Sequence, residues 1–265
     1  MARRNGDASG CVLVTGSSAG IGQELAKAFA AGGFPLVLLA RRRERLRELA
    51  EEIEAEHAVR VTILPADLND PKAPQAIFDA LRKKAIAVDV LVNNAGLLFE
   101  GAFADTALED LLQLLQVNVM ALTALTRLFL APMLERRSGR ILNVASTGAF
   151  LPIPSLAVYA ASKAYVLSLT EALSEELKGT GVTATALCPG FTNTGMVARS
   201  KRGRRIPSLA VMDAKAVARE GYSACLSGRV VHVAGFANTI TVRGIQILPR
   251  WLVRTVGGLI ARQTT

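Results

Sequence analysis

Short apolar runs alternate with longer amphipathic segments along most of this chain, and this alternation constrains its fold more than any other feature. The apolar runs are typical of strands at 11–15, 35–39, 60–64, 88–92, 140–144, 183–187 and 229–233. Segments with helical periodicity lie at 20–31, 42–57, 71–84, 107–135, 155–178 and 213–226. Because a strand, a crossover helix and the next parallel strand form a right-handed unit, the pattern predicts a doubly wound α/β fold of the Rossmann type. We expect a seven-stranded parallel sheet with helices on both faces.

The composition fits a buried sheet rather than a disordered chain. Of the 265 residues, 51% are hydrophobic and the mean hydropathy is +0.33, as expected for strands that are covered on both faces. One α/β core of this size is common, so residues 1–265 are predicted to form a single domain. Within it, residues 191–212 are expected to form a basic substrate loop and residues 236–265 a C-terminal extension.

The chain is strongly basic, with a formal net charge of +9 and a pI of about 9.9. Such a balance suits nucleic acid, a membrane surface or an anionic cofactor. The basic clusters at 41–43 and 199–205 lack the interleaved aromatic residues that stack on bases, so no nucleic-acid partner is expected. Cys11, Cys188 and Cys225 are odd in number and far apart, which favours a reducing compartment. We therefore expect a cytoplasmic protein, and no bound metal.

The first predicted strand runs directly into a glycine-rich turn and then into a helix. Glycines there let the backbone approach a pyrophosphate, and the helix amino terminus offers free N–H groups and a positive dipole end. The glycine spacing departs from the commonest dinucleotide-binding pattern, so the turn alone is a weak signal. The predicted phosphate-binding residues are Gly16, Ser17, Ser18, Gly20, Ile21 and Gly22.

The same turn also contains Gly-x-Ser-x-Gly, the pattern of a hydrolase nucleophile elbow, with Ser18 at its centre. That interpretation requires an oxyanion-hole loop upstream and a histidine downstream. Only one predicted strand precedes Ser18, and His232 falls inside another predicted strand. A serine hydrolase is therefore the weaker alternative.

Two arginines follow the second strand, where the adenosine ribose of a dinucleotide meets a doubly wound sheet. An acidic residue at this position selects NAD by accepting a hydrogen bond from the ribose 2′-hydroxyl. Arg41 and Arg42 stand there instead, and cations at a helix start oppose the helix dipole unless they bind an anion. We predict NADP(H), with both arginines on its 2′-phosphate; a solvated basic turn balanced by nearby glutamates is the alternative. Asp67 and Leu68 follow the third strand and are placed to contact the adenine, with a plain loop aspartate as the alternative for Asp67.

Tyr159 and Lys163 are four residues apart on one predicted helix, so they share a face. Ser146 follows the fifth strand, at the edge where doubly wound sheets bind ligands. Reduction of a carbonyl requires a proton donor near the oxygen and a group that stabilises its developing charge. A nearby ammonium and the positive charge of an oxidised nicotinamide both favour phenolate, so Lys163 and the bound cofactor are expected to lower the pKa of Tyr159 together. Taken alone, a buried Tyr beside a Lys stem is the commoner meaning of this spacing.

Several motifs occur together in one order. They are Thr15-Gly16-x-x-x-Gly20-x-Gly22, Asn93-Asn94-Ala95-Gly96, Asn118, Ser146, Tyr159-x-x-x-Lys163 and Pro189-Gly190. Over residues 10–235 this set resembles the short-chain dehydrogenase/reductase family. The Leu-Leu-Ala-Arg-Arg run and the long tail resemble its DltE-like and hydroxysteroid-dehydrogenase subgroup.

The resemblance implies a catalytic set of Asn118, Ser146, Tyr159 and Lys163. Tyr159 would be the proton donor and acceptor, Lys163 would also hold the nicotinamide ribose, and Asn118 would lie in a kinked turn that holds a water in a proton relay. It also implies further cofactor contacts, which are Asn94, Ala95, Gly96, Tyr159, Lys163, Pro189, Gly190, and Thr192 or Thr194.

These features predict an NADP(H)-dependent oxidoreductase that transfers a hydride between nicotinamide and an apolar ketone or secondary alcohol. A protein that senses NADP(H) without turnover is the alternative, although it would have no use for Tyr159. Apolar residues flank the catalytic positions and favour an apolar substrate or, taken singly, ordinary core packing. They are Leu97, Leu98, Phe99, Phe150, Leu151, Pro152 and Phe191.

Three further expectations concern partners. The cluster at 199–205 is expected to be solvated, with an acidic substrate handle as the alternative. The tail at 245–262 mixes apolar residues with arginines, which is compatible with weak peripheral membrane contact, with packing at the pocket mouth or with a partner subunit. The family resemblance implies a homodimer or homotetramer through 107–135 and 155–178.

Overall fold

The computed structural model describes residues 10–195 and 211–262, and the fold is a seven-stranded parallel sheet. Its order is β3-β2-β1-β4-β5-β6-β7, so the chain starts in the middle, moves to one edge and returns across β1. All neighbouring strands are parallel. The strands are β1 Cys11–Thr15, β2 Leu36–Ala40, β3 Val61–Pro65, β4 Val88–Asn93, β5 Gly139–Val144, β6 Val182–Cys188 and β7 Val231–Val233.

Helices cover both faces of this sheet. In chain order they are α1 Gly20–Ala31, α2 Arg43–Glu56, α3 Ala73–Lys83, α4 Leu108–Leu115, a π-helical turn Gln116–Ala121, α5 Leu122–Glu135, a 3-10 turn Thr147–Phe150, α6 Ala157–Glu176, α7 Ala214–Leu226, α8 Phe236–Ile247 and α9 Arg250–Arg262. The predicted doubly wound Rossmann fold is confirmed.

The strands read as unbroken apolar runs because each side of the sheet has its own core. Along β1, Val12 and Val14 pack on the face covered by α1, α2 and α7, whereas Leu13 packs on the opposite face with α3 and α5. Every residue of β2 is buried. This two-sided burial is the physical reason that hydrophobicity does not alternate along the strands.

Two predicted elements differ from the structure. The helix predicted at 107–135 is divided by the π-helical turn Gln116–Ala121, which inserts one extra residue into the helical repeat. The seventh strand begins at Val231 rather than at 229, because Arg229 still belongs to the turn after α7, where its N–H donates to Ala224 O.

Within the described residues, one helical stretch, Leu108–Glu135, is long and apolar enough to cross a membrane. Half of its most apolar window is buried inside the fold. Core helices pass the same test, and the α5 part of this stretch contacts α3, β4 and β5.

Candidate active site

A cleft of about 560 Å³ opens at the carboxyl ends of the central strands. This is the edge where a doubly wound sheet reverses its strand order and binds ligands. Most of the predicted site residues line it together. They are Gly16, Ser18, Gly20, Ile21, Arg41, Arg42, Asp67, Leu68, Asn94, Ala95, Gly96, Ser146, Tyr159, Lys163, Pro189, Gly190, Thr192 and Thr194.

The glycine-rich turn between β1 and α1 forms one end of the cleft. Gly16 and Gly20 have φ of +66° and +59°, a backbone region that favours glycine. A Cβ atom at Gly16 would lie 2.8 Å from the Cα of Ala95, and one at Gly20 would lie 2.9 Å from Thr194 Cγ2. The first turn of α1 has no acidic residue and no side-chain cap, so its N–H groups are left for an anion.

Two predicted residues of this turn lie behind the cleft rather than on it. Ser17 is fully buried, and its Oγ is 3.4 Å from Leu39 O. At Gly22 a Cβ atom would overlap Gly16 O and the amide of Asn94. Both residues therefore shape the turn, and neither is among the residues that line the cleft.

Thr15 ties this turn to the loop after β4, a role that the sequence analysis did not assign. Its Oγ1 accepts hydrogen bonds from Asn94 N at 2.9 Å and Ala95 N at 3.0 Å and lies 3.2 Å from Val92 O. The Asn94 amide donates to Thr15 O at 2.9 Å. These bonds fix the backbone on both sides of the cleft floor.

Arg41 and Arg42 stand exposed at the end of β2 and at the start of α2. Arg42 Nη2 donates to Ser18 Oγ at 3.3 Å, which joins the arginine turn to the phosphate turn. Glu48, one of the residues that would balance these charges in a plain basic turn, pairs instead with Arg45 at 2.9 Å. Glu48 therefore does not balance the charge of Arg41 and Arg42.

The hydrolase alternative finds no support around Ser18. The chain has two histidines, and neither lines the cleft. His232 lies on the edge strand β7, where its Nε2 is 2.8 Å from Glu220 Oε2. His57 is the residue that follows α2. Ser18 thus has no imidazole to accept its proton.

Ser146, Tyr159 and Lys163 converge at the other end of the cleft. Ser146 follows β5, and its Oγ accepts a hydrogen bond from Gly148 N at 3.0 Å in the 3-10 turn. Its side chain is within hydrogen-bonding reach of Tyr159. Lys163 Nζ donates to Val144 O at 2.8 Å and lies 5.9 Å from the centre of the Tyr159 ring. The three side chains share one small space.

Asn118 lies inside the π-helical turn and is almost fully buried. Its Oδ1 accepts from Leu97 N at 2.7 Å, and its Nδ2 donates to Leu97 O at 3.0 Å and to Ser162 Oγ at 3.1 Å. Ser162 in turn donates to Tyr159 O at 2.7 Å. Asn118 thus joins the loop after β4 to the helix that carries the tyrosine, and its side chain does not line the cleft.

Comparisons with known proteins agree with this geometry. The family model described as short chain dehydrogenase matches residues 10–205. The chain belongs to the short chain dehydrogenase family. The DltE-like subgroup remains a prediction.

Three relatives of this short chain dehydrogenase span different parts of it. It is 36% identical to the ketoacyl reductase HetN of Nostoc sp. over 70% of the chain and 64% of that protein, so it spans less than two thirds of that relative. It is 31% identical to a very-long-chain 3-oxoacyl-CoA reductase of Rattus norvegicus over 91% of the chain and 76% of that protein. A solved short-chain dehydrogenase from Sphingobium yanoikuyae in complex with NADPH is 31% identical, with a TM-score of 0.81 over 89% of this chain and 93% of that one.

Burial dominates the electrostatics of the dehydrogenase site. Burial raises the pKa of Tyr159, and the hydrogen bond with Ser146 offsets this only in part. Burial also lowers the pKa of Lys163 to about 8, against a weaker opposite effect of Cys188. The lowering of the tyrosine pKa by Lys163 together with an oxidised nicotinamide stays a prediction, and in this structure the ammonium donates to the Val144 carbonyl.

Several other residues of the dehydrogenase cleft were not predicted or were placed differently. Gln113 and Val117 line it from α4 and the π-helical turn, and neither residue belongs to a recognisable sequence motif. Of the predicted apolar flank, Leu97 and Leu98 line the cleft, while Phe150 packs in a smaller core cluster and Phe191 is exposed. The arginines and the lysine at 199–205 lie outside the described residues.

Proposed function

We propose that this protein is an NADP(H)-dependent oxidoreductase that transfers a hydride between nicotinamide and an apolar ketone or secondary alcohol. The observation that carries the proposal is one continuous cleft, with the phosphate turn at one end and Ser146, Tyr159 and Lys163 at the other. A dinucleotide that spanned this cleft would present its nicotinamide beside the tyrosine. The cofactor supplies the hydride; the protein supplies position and a proton.

The residues present fit NADP(H) at each part of the cofactor. Gly16, Gly20 and the uncapped start of α1 would hold the pyrophosphate, since the turn that both glycines permit brings free backbone N–H groups to the cleft. Arg41 and Arg42 would bind the 2′-phosphate. Asp67 and Leu68 would meet the adenine, and Lys163 the nicotinamide ribose. The solved relative in complex with NADPH supports the same choice.

The carboxamide contact also has a preferred candidate. Thr192 is 2% exposed, and its Oγ1 already donates to Gly190 O at 3.0 Å. Thr194 carries its methyl group against Gly20, at the phosphate end of the cleft. Thr192, which bonds the Pro189-Gly190 turn, is therefore the better candidate for the nicotinamide side.

Ser146 and Tyr159 divide the proton chemistry between them. Ser146 Oγ accepts the N–H of Gly148, which leaves its own proton to donate to the substrate oxygen. Tyr159 gives its phenolic proton to the oxygen as the hydride arrives at carbon, and takes it back in the reverse direction. Because burial raises the pKa of Tyr159, the phenol stays protonated and ready for reduction at neutral pH.

Lys163 and Asn118 assist Tyr159 without contacting the substrate. The pKa of Lys163 is lowered to about 8, so its ammonium can release a proton to the relay that restores the Tyr159 phenol after each reduction. Asn118 holds the π-helical turn in place through Leu97 and Ser162. We assign it a positioning role, with a water relay along the kinked turn as the family pattern implies.

The assembly proposed for this enzyme is a homodimer or homotetramer. Large apolar side chains are exposed on one side of α4, the π-helical turn and α6, on the surface expected to pair. They are Leu108, Leu112, Leu115, Met120 and Tyr165. Light scattering tests this assignment. Leu112→Asp should reduce the mass of the oligomer, and a wild-type protein with the mass of a monomer would contradict the proposed assembly.

The test of the reaction is NADPH oxidation over a panel of aromatic ketones, diketones, steroids and 3-oxoacyl thioesters, paired with calorimetric NADPH binding. We expect tight NADPH binding and turnover of apolar carbonyls. Binding without turnover of any compound would favour the NADP(H) sensor instead. Failure to bind NADPH or NADH would overturn the proposal, and labelling of Ser18 by a fluorophosphonate would revive the hydrolase.

A further inference from the structure

The described chain ends in two helices that rest on the loop after Ser146. Val242 of α8 and Val253 of α9 are buried, and α8 contacts the 3-10 turn Thr147–Phe150. On α9, a Cβ atom at Gly257 would lie only 2.5 Å from Pro152 O. Both helices therefore pack one side on residues 147–152, and the opposite side of each helix faces away from these residues.

The outer sides are unusually apolar for a protein surface. Phe236 is 82% exposed, Ile240 56%, Ile247 84% and Trp251 60%. On α8, positions 236, 240 and 247 fall on one stripe of the helix, opposite the buried Val242. Trp251 follows Ile247 by four residues, at the start of α9, so the exposed apolar groups continue from one helix into the next. Exposed apolar groups of this size indicate an interaction site.

The same surface carries only positive charge. Exposed arginines lie among the apolar residues at Arg243, Arg250 and Arg254. Residues 236–262 contain no Asp or Glu. We call this surface the C-terminal face and define it by Phe236, Ile240, Arg243, Ile247, Arg250, Trp251 and Arg254.

The charge pattern decides between two occupants. A twofold pairing of this face with a second copy would bring its arginines towards one another, with no carboxylate from the same segment between them. An anionic bilayer meets both requirements at once, because headgroup phosphates attract arginine while Trp and Ile enter the acyl boundary. Tryptophan is also the residue most suited to that boundary.

We propose that the C-terminal face docks the protein on an anionic lipid bilayer. Trp251 and Ile247 lie at the acyl boundary, and Arg243, Arg250 and Arg254 lie on headgroup phosphates. Since both helices rest on the segment that follows Ser146, docking brings the substrate end of the cleft close to the membrane surface. That last consequence rests on the proposed function; the docking itself does not.

The test uses the full-length protein, with vesicles of phosphatidylcholine alone and of phosphatidylcholine mixed with phosphatidylglycerol. Trp251 is the single tryptophan of the chain, so its fluorescence reports the face directly. We expect sedimentation with the anionic vesicles only, with a blue shift of the emission. High salt should release the protein, since the arginine contribution is screened.

Variants of the face should weaken this binding while their matched controls do not. Ile247→Ser retains the tryptophan and should lower partitioning by about tenfold or more. Arg250→Gln should lower it by about fivefold, as expected for one cation near an anionic surface. Leu134→Ser and Lys83→Gln are the controls, since both side chains are exposed elsewhere in the molecule, at the ends of α5 and α3. Unchanged NADPH affinity and thermal midpoint would show that each variant is folded.

Three outcomes would overturn the proposal. The first is no binding to anionic vesicles at low salt. The second is equal loss of binding in the face variants and their controls. The third is a blue shift of Trp251 that appears with rising protein concentration without vesicles, which would assign the face to a second copy. None of these experiments measures turnover. A negative result for membrane docking would therefore not contradict the proposed reaction.

Discussion

The phosphate turn and the C-terminal face differ in the space that they leave for one added methyl group at a glycine. At Gly16 a Cβ atom would meet the Ala95 backbone at 2.8 Å, with φ already at +66°. At Gly244, in the middle of α8, nothing lies within 4 Å. At the first position the Ala95 backbone and the Asn94 side chain leave no room for the methyl group, whereas the second position is open. The geometry of the cleft is therefore set before a ligand binds, and the outer surface of the tail is free to serve a different purpose.

The family model stops at residue 205, so the tail lies beyond the part of the chain that it matches. The cleft turns its polar groups inward and bonds them, as Thr15 and Asn118 show. The C-terminal face turns arginine and aromatic groups outward. The two regions therefore differ in where their polar groups point, and each region can be tested by substitutions that should leave the other unaffected.

The largest expected effect is on turnover. Tyr159→Phe removes the proton donor but keeps the ring, so kcat should fall by about 10²- to 10⁴-fold while NADPH binding is retained. Steady-state kinetics with a soluble ketone, together with calorimetry, measure the two quantities. Tyr165→Phe is the matched control, because that tyrosine lies on the same helix and bonds Thr123 Oγ1 at 2.9 Å outside the cleft. Ile247→Ser should also leave kcat unchanged, and a comparable loss in either control would remove Tyr159 from its assigned role.

The next effect is on stability. Gly16→Ala combines a left-handed backbone with the clash at Ala95 and should cost about 1–3 kcal/mol of unfolding free energy. The control is Gly179→Ala, where φ is +75° but a Cβ atom meets nothing within 4 Å. Urea unfolding of both variants separates the cost of the conformation from that of the contact. Equal destabilisation would mean that the approach of Ala95 is not tight.

The sequence predicted the sheet well because burial on both faces leaves an unmistakable apolar pattern. It also predicted the residues whose backbone geometry requires a particular amino acid, such as Gly16 and Gly20. The periodicity of residues 107–135 is continuous and did not show the π-helical turn, which only the family resemblance indicated, as a kinked turn at Asn118. The turn is held by the contact of Asn118 with Leu97, which lies 21 residues away in sequence. The direction of the Lys163 ammonium was equally hidden, because its partner is the main-chain carbonyl of Val144 and leaves no trace in the sequence.

The third prediction concerns the cofactor. Arg41→Ala and Arg42→Ala should each weaken NADPH binding by about tenfold, the loss of one good charged contact, and should change NADH binding little. Calorimetric titration with both cofactors measures the difference. Arg45→Ala is the control, since Arg45 is on the first turn of the same helix but pairs with Glu48. If NADPH and NADH lose affinity equally, the arginines do not bind a 2′-phosphate.

The smallest effect has the opposite sign. Gly244→Ala places a methyl group where α8 offers open space, and alanine is preferred to glycine inside a helix by about 0.5–1 kcal/mol. The variant should therefore be slightly more stable in urea unfolding, with vesicle binding unchanged. Destabilisation would show that α8 packs against something at this position, such as another subunit. In that case α8 would be enclosed by neighbouring atoms, as the phosphate turn is. The proposed difference between the two regions would then be wrong for the C-terminal face.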